Sequence, residues 1–231
     1  MQSCRNRPKL PAGAFAILPD LGKSPIRIVA IVIIFGTLFA PFPIPFRVIL
    51  LSAAALIWTY LEARTLAPIG LVRHGLRPTL AWAVILAVGV TAFGQVTEPA
   101  INWLFGVHSD LSGYGALKGN AGLAFKLLIY ALTSASIGEE ILFRGFLLHQ
   151  LTALFGSSAR TRWAIIASSS VLFGLAHYMQ GPVGIVSTGL VGFVLAWAWF
   201  RSGRNLWALI LAHALIDSFG IAMLYLGWTG F

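Results

Sequence analysis

Long apolar runs alternate with short polar ones along this chain, and the run lengths decide the fold. The runs lie near residues 26–42, 46–63, 79–97, 121–141, 163–180, 183–200 and 206–228. A helix needs roughly 20 apolar residues, within a range of about 17–25, to cross the hydrocarbon layer of a bilayer. Seven runs of this kind predict an all-α, polytopic transmembrane helical bundle of about seven spans. The first two are short and divided only by "PFPIPFR", whose prolines interrupt a helix. They are expected to form a tight hairpin with Arg47 snorkelling outward. "EARTLAPIGLVRHGLRP" (62–78) reads as a polar loop with an interfacial turn, and the glycine-rich stretch 98–120 as the longest connection. The fourth run continues to about residue 155, longer than one crossing. Either that helix leaves the membrane or its polar residues sit deeper than counting implies.

Composition agrees. Of the 231 residues 58% are hydrophobic and only 10% charged, where a soluble domain carries roughly 25% charged; the surplus apolar surface must face lipid. The formal charge of +9 does not point to nucleic acid, because the basic residues are scattered at span ends instead of clustering with exposed aromatics. Segments 1–27, 64–78, 144–162 and 201–204 hold most of them, against Arg47 and Lys118 on the other side and Lys126 just inside the fourth span. By the positive-inside rule the N-terminus is expected in the cytoplasm. Most of the eight tryptophans fall near span ends, as interfacial aromatics do. The basic N-terminal segment and the apolar run after it lack a small-residue cleavage site and are expected to be retained. Cys4, the one cysteine, precludes an intramolecular disulfide and does not read as a lipoprotein cysteine.

Against this background "GEEILFRG" (138–145) is unusual, since it places two of the seven acidic residues side by side. Glu140 and Arg144 are four apart and share a helix face, the least costly way to keep charge near a bilayer. Glu139 lies about 100° round the helix without a local partner, as suits a general base. A snorkelling interfacial cluster is the plainer reading. "FGLAH" puts Phe173 and His177 at the same spacing, and "HALID" puts His213 and Asp217 on one face well inside an apolar run. Each pair alone also reads as packing or as mutual satisfaction of buried groups. Gly184, Thr188 and Gly192 form a small-residue face for close helix packing, and Ser168, Ser169 and Ser170 read as packing residues.

The three motifs in this order resemble the CPBP superfamily of intramembrane endopeptidases, which includes the eukaryotic CAAX prenyl endopeptidase and bacterial Abi-type proteins. The family pattern is EExxxR, FxxxH and HxxxN or HxxxD; the resemblance covers about residues 121–220, and the earlier spans match only in being membrane helices. It implies that Glu139 is the general base, that His177 orients the same water, and that His213 donates to the developing oxyanion. Glu140 and Arg144 would hold the base-bearing helix, with Phe173 in support. Asp217 departs from members that end in Asn; it orients His213, is itself protonated, or binds metal. Glu139, His177, His213 and Asp217 could together ligate a catalytic zinc. Yet HExxH is absent, and a reading without any cofactor is preferred.

The expected function is therefore peptide-bond hydrolysis in a membrane-associated protein or peptide at the lipid bilayer. Residues 1–120 would supply a cytoplasmic tail and three spans, and 121–231 the catalytic core of the same membrane domain. The short chain and the Asp-ending motif lean towards the plasma (inner) membrane of a prokaryote. The rivals are a non-catalytic scaffold or immunity protein of the same fold, and a proton-coupled transporter in which the same four residues relay protons. No broken-helix repeat pair supports transport.

Overall fold

The computed structural model describes residues 21–41, 46–107 and 112–228. Cys4 and the N-terminal basic residues Arg5, Arg7 and Lys9 lie outside them, as do positions 42–45 of the proline-broken turn. Among the described residues there are seven helices and no strands: α1 (Ser24–Leu38), α2 (Arg47–Ala63), α3 (Leu76–Phe105), α4 (Ala121–Phe155), α5 (Ala159–Ala176), α6 (Gly181–Arg201) and α7 (Leu206–Leu226). Helices α3, α4, α6 and α7 are long and apolar enough to cross a membrane. Val32, Ile85, Val96 and Trp103 are among the apolar side chains turned outward, a surface that suits lipid and not water.

Helix α4 is the axis of the bundle. Its side chains Ile141, Leu142, Phe143, Phe146, Leu147 and Leu148 are buried in one core with residues from α1, α2, α3, α5, α6 and α7. Between Ala131 and Leu147 it is wound as a π-helix. Such winding is rare beyond a single turn and concentrates at functional sites. Twelve of these seventeen residues are buried, so tertiary packing offsets the poorer local geometry. The expectation for the fourth run thus resolves to one helix that continues to Phe155.

Three expectations about connections need correction. The third span was expected to end near residue 97, but α3 runs on through Glu98 and Pro99 to Phe105. A proline is tolerated inside an apolar helix when neighbouring groups absorb the disturbed backbone bonds, and here the Thr97 hydroxyl donates to the Phe93 carbonyl at 2.9 Å. Arg47 does not snorkel outward. Its Nη1 donates to the carbonyls of Leu38 and Ala40 at 2.7 and 2.9 Å, satisfying acceptors that the end of α1 leaves open. Finally, α5 stops at Ala176 and His177 caps it, so the histidine sits at a helix end and not within a span. The stretch after α2 does contain a short 3₁₀ turn, Ala67–Ile69.

Glu62, read from sequence as part of a polar loop, is instead in α2 and 6% exposed. It pairs with Arg27 of α1 at 2.5 Å and accepts from Gln150 Nε2 of α4 at 2.8 Å, while Arg27 Nη1 also donates to Gln150 Oε1 at 2.7 Å. This network fastens both N-terminal helices to the axial one. Glu62→Ala leaves Arg27 without its carboxylate and is expected to cost on the order of 3 kcal/mol, the scale for breaking a buried pair. Thermal unfolding in detergent checks this, and an unchanged midpoint would show that the network carries no stability.

Candidate functional site

The polar cluster lies where α4, α5 and α7 meet. Glu140 is fully buried, and one of its oxygens takes two bonds. Arg144 Nη1 donates to Glu140 Oε1 at 2.8 Å, and His213 Nδ1 of α7 donates to the same oxygen at 2.9 Å. The first bond is the i, i+4 pair read from the sequence. The second crosses between helices, and sequence spacing gave no sign of it. Arg144 is equally buried, with its Cζ 4.1 Å from the centre of the Phe173 ring. A desolvated guanidinium over an aromatic face is stabilised by the ring quadrupole, which explains the phenylalanine in "FGLAH" by a contact. Phe173 is itself held edge-to-face by Phe143, and Phe143 by Phe35 of α1.

The remaining residues form a half-buried rim above this base. Phe173 contributes its carbonyl as well as its ring: His177 Nδ1 lies 2.8 Å from Phe173 O. A carbonyl only accepts, so Nδ1 carries the hydrogen and, in the neutral ring, Nε2 is left with a lone pair. That nitrogen faces Glu139 Oε2 at 4.0 Å, too long for a direct hydrogen bond. Glu139 Oε2 is buried and has no hydrogen-bond partner. Across the cluster, His213 Nε2 faces Asp217 Oδ2 at 3.6 Å, and the same oxygen accepts from Ser136 Oγ at 3.4 Å.

The structure therefore brings together Glu139, His177, His213 and Asp217, with Glu140, Arg144 and Phe173 beneath them. It adds Ser136, which the sequence reading passed over. The available signal was a hydroxyl four residues before Glu140 in an apolar run. His213 and Asp217 fall seven and eleven residues beyond the start of α7, or about 10 and 16 Å along the helix at 1.5 Å per residue. On a helix that starts at the membrane boundary, those distances fall inside a hydrocarbon layer of about 30 Å.

Helix approach around the site differs in detail from the small-residue face expected on α6. Gly192 does make room for the Phe173 ring, which a Cβ there would meet at 2.9 Å. The close backbone contact between α5 and α6, however, is made by Gly174 against Gly189, one position off the Gly184–Thr188–Gly192 stripe. The Thr188 hydroxyl is spent on the carbonyl of Gly184 at 2.7 Å.

The four candidate zinc ligands are not gathered into one group. His177 and His213 each engage Nδ1 with a protein acceptor, and the two open nitrogens face different carboxylates. Among the described residues no three His, Cys, Asp or Glu side chains form a group that could hold an ion.

Residues 121–219 match the family described as Type II CAAX prenyl endopeptidase Rce1-like, and so carry an Rce1-like domain consistent with the CPBP superfamily. Neither the curated proteins nor the solved structures gave a match to the chain. At the family level the domain supports a CAAX-type intramembrane protease. With four helices long and apolar enough to cross a bilayer, the protein is an integral membrane protein.

Arg144→Met leaves the buried Glu140 carboxylate with His213 in place of two cationic partners and is expected to destabilise by about 3 kcal/mol. Glu140→Gln combined with Arg144→Met should cost less than the two single changes summed, because both members of the pair are then neutral. Chemical unfolding in detergent closes this cycle, and strictly additive losses would show that the two side chains do not act as a pair.

Proposed function

We propose that this protein is an intramembrane endopeptidase that hydrolyses a peptide bond of a membrane-associated protein or peptide with a water held by Glu139 and His177. The observation that carries this reading is the pairing of Glu139 Oε2 with His177 Nε2 across 4.0 Å. Both atoms are acceptors when Nδ1 of His177 is committed to the Phe173 carbonyl. A water straddling them gives one hydrogen to each and turns a lone pair away from both. Polar groups separated by more than about 3.5 Å are commonly joined in this way.

The chemistry follows from that placement. The water oxygen bonds to the substrate carbonyl carbon as its proton passes to Glu139, and the carbonyl π electrons move to oxygen. His213, with both ring nitrogens protonated and Nδ1 anchored on Glu140, donates from Nε2 to that oxyanion. The C–N bond then breaks as Glu139 returns its proton to the leaving amine. Glu140 and Arg144 position His213 and the base-bearing helix without touching substrate. Asp217 accepts from Ser136 and keeps His213 Nε2 turned into the site, a role that an amide at this position also fills. No step calls on a metal.

The same reading places the protein in the inner membrane of a prokaryote with its N-terminus in the cytoplasm. The support for the orientation is charge asymmetry: Arg64, Arg73, Arg77, Arg160, Arg162, Arg201 and Arg204 all fall in or beside connections that one orientation puts on the cytoplasmic side. The three motifs and the axial helix that bears the base fall within residues 121–231, and 1–120 would supply support.

Glu139→Gln, compared with wild type at matched levels in host cells, is expected to abolish a set of membrane-protein termini seen by mass spectrometry, a loss of about 10²–10⁴ in rate. If no terminus depends on Glu139, the peptidase reading fails and a non-catalytic scaffold takes its place. Asp217→Asn is expected to keep cleavage within about tenfold of wild type, whereas His213→Ala should lose about 10²–10³, as for a removed oxyanion donor. Rates on a peptide identified from those termini decide the comparison. An Asp217→Asn enzyme as dead as His213→Ala would make the ionised carboxylate itself essential.

A further inference from the structure

A second site lies away from the catalytic cluster, on the outer face of the α5–α6 pair. Near the basic end of these helices is an open pocket of ≈ 310 Å³ whose lining includes Arg162 and Trp163 of α5 and Trp197 and Arg201 of α6. Both arginines are exposed. Neither guanidinium is joined to a carboxylate among the described residues, in contrast to Arg27 and Arg144. Two unpaired guanidiniums sharing one pocket make a receptor for a phosphate oxyanion, which they can hold through parallel N–H bonds.

The pocket has an apolar continuation. Further along the same two helices runs a groove of ≈ 350 Å³ lined by residues such as Ala167, Val171 and Leu190, with Gly174 and Gly189 among its lining. Ala167 and Val171 follow Trp163 at successive steps of four, and Leu190, Phe193 and Trp197 follow one another at three or four. Pocket and groove therefore share one face of the pair. Trp163 and Phe193 stack at 5.9 Å where the two meet. From Ala167 to Leu175 the groove is about 12 Å long at 1.5 Å per residue.

A cationic, aromatic-rimmed pocket at the end of apolar helices, opening into an apolar groove that follows those helices inward, matches one occupant in charge and in polarity. We propose that it is a binding site for an anionic phospholipid, with the phosphodiester on Arg162 and Arg201 and an acyl chain along the α5–α6 groove. Basic pockets between membrane helices take anionic headgroups in this manner, and tryptophans at the headgroup level anchor the rim. The lipid would also bear on α5 and α6 within three residues of His177, through Gly174.

The test uses the full chain in detergent and does not depend on proteolysis. Native mass spectrometry would count retained lipid after incubation with phosphatidylglycerol or phosphatidylcholine. Wild type would be compared with Arg162→Gln/Arg201→Gln and with the charge-matched control Arg73→Gln/Arg160→Gln. Wild type and control should retain phosphatidylglycerol at least tenfold better than the pocket variant, and phosphatidylcholine should be retained poorly by all three. Ala167→Trp, which fills the groove and leaves the arginines in place, should weaken long-chain phosphatidylglycerol but spare its dihexanoyl form. Equal retention by the two double variants overturns the proposal. So does full displacement of the lipid by inorganic phosphate, which would mark a site for the free anion, and so does indifference to Ala167→Trp, which would mean that no chain lies in the groove.

Discussion

One carboxylate oxygen, Oε1 of Glu140, accepts from Arg144 on its own helix and from His213 on α7. An isolated charge at this depth would be prohibitively costly, and a charge paired on both sides is tolerable only if every partner is fixed. That requirement reaches outward. Arg144 needs the face of Phe173, Phe173 needs the edge of Phe143 and the space left by Gly192, and Phe143 needs the edge of Phe35. A single buried anion thus ties α1, α4, α5, α6 and α7 into one arrangement.

The π-wound middle of α4 serves the same constraint. Ser136, Glu140 and Arg144 are four apart and all three are fully buried, so one stripe of the axial helix meets α7 twice, through Ser136 to Asp217 and through Glu140 to His213. Holding such a stretch open against its local preference requires neighbours on nearly every side. The buried residues of this segment and the Glu62–Arg27–Gln150 network at the far end supply them.

Polarity in the site is layered. The lower layer of Glu140, Arg144 and His213 is closed off and held by the two bonds to Glu140 Oε1, which fixes geometry even though Glu140 Oε2 and Arg144 Nε and Nη2 are buried without hydrogen-bond partners. The upper layer of Glu139, His177 and Asp217 is half-buried and under-satisfied, which leaves capacity to bind. The two layers have different physical consequences. The first stops the polar side chains from drifting in a medium that offers them few alternative partners, and the second leaves hydrogen-bonding positions open.

By itself the sequence determined what a helical rise fixes. The pairs Glu140–Arg144, Phe173–His177 and His213–Asp217 are legible because residues four apart share a face of an α-helix, and the apolar runs are legible because bilayer thickness sets their length. It also placed Glu139 apart from the arginine, on the side where the structure puts His177. Only the tertiary structure decided that His213 Nδ1 meets Glu140, that Ser136 meets Asp217, that Glu62 is buried against Arg27, and that α3 passes through Pro99. These outcomes depend on helix rotation, crossing and the unusual winding of α4. They are set by how side chains from distant segments fill one core, and no window of local sequence carries that information.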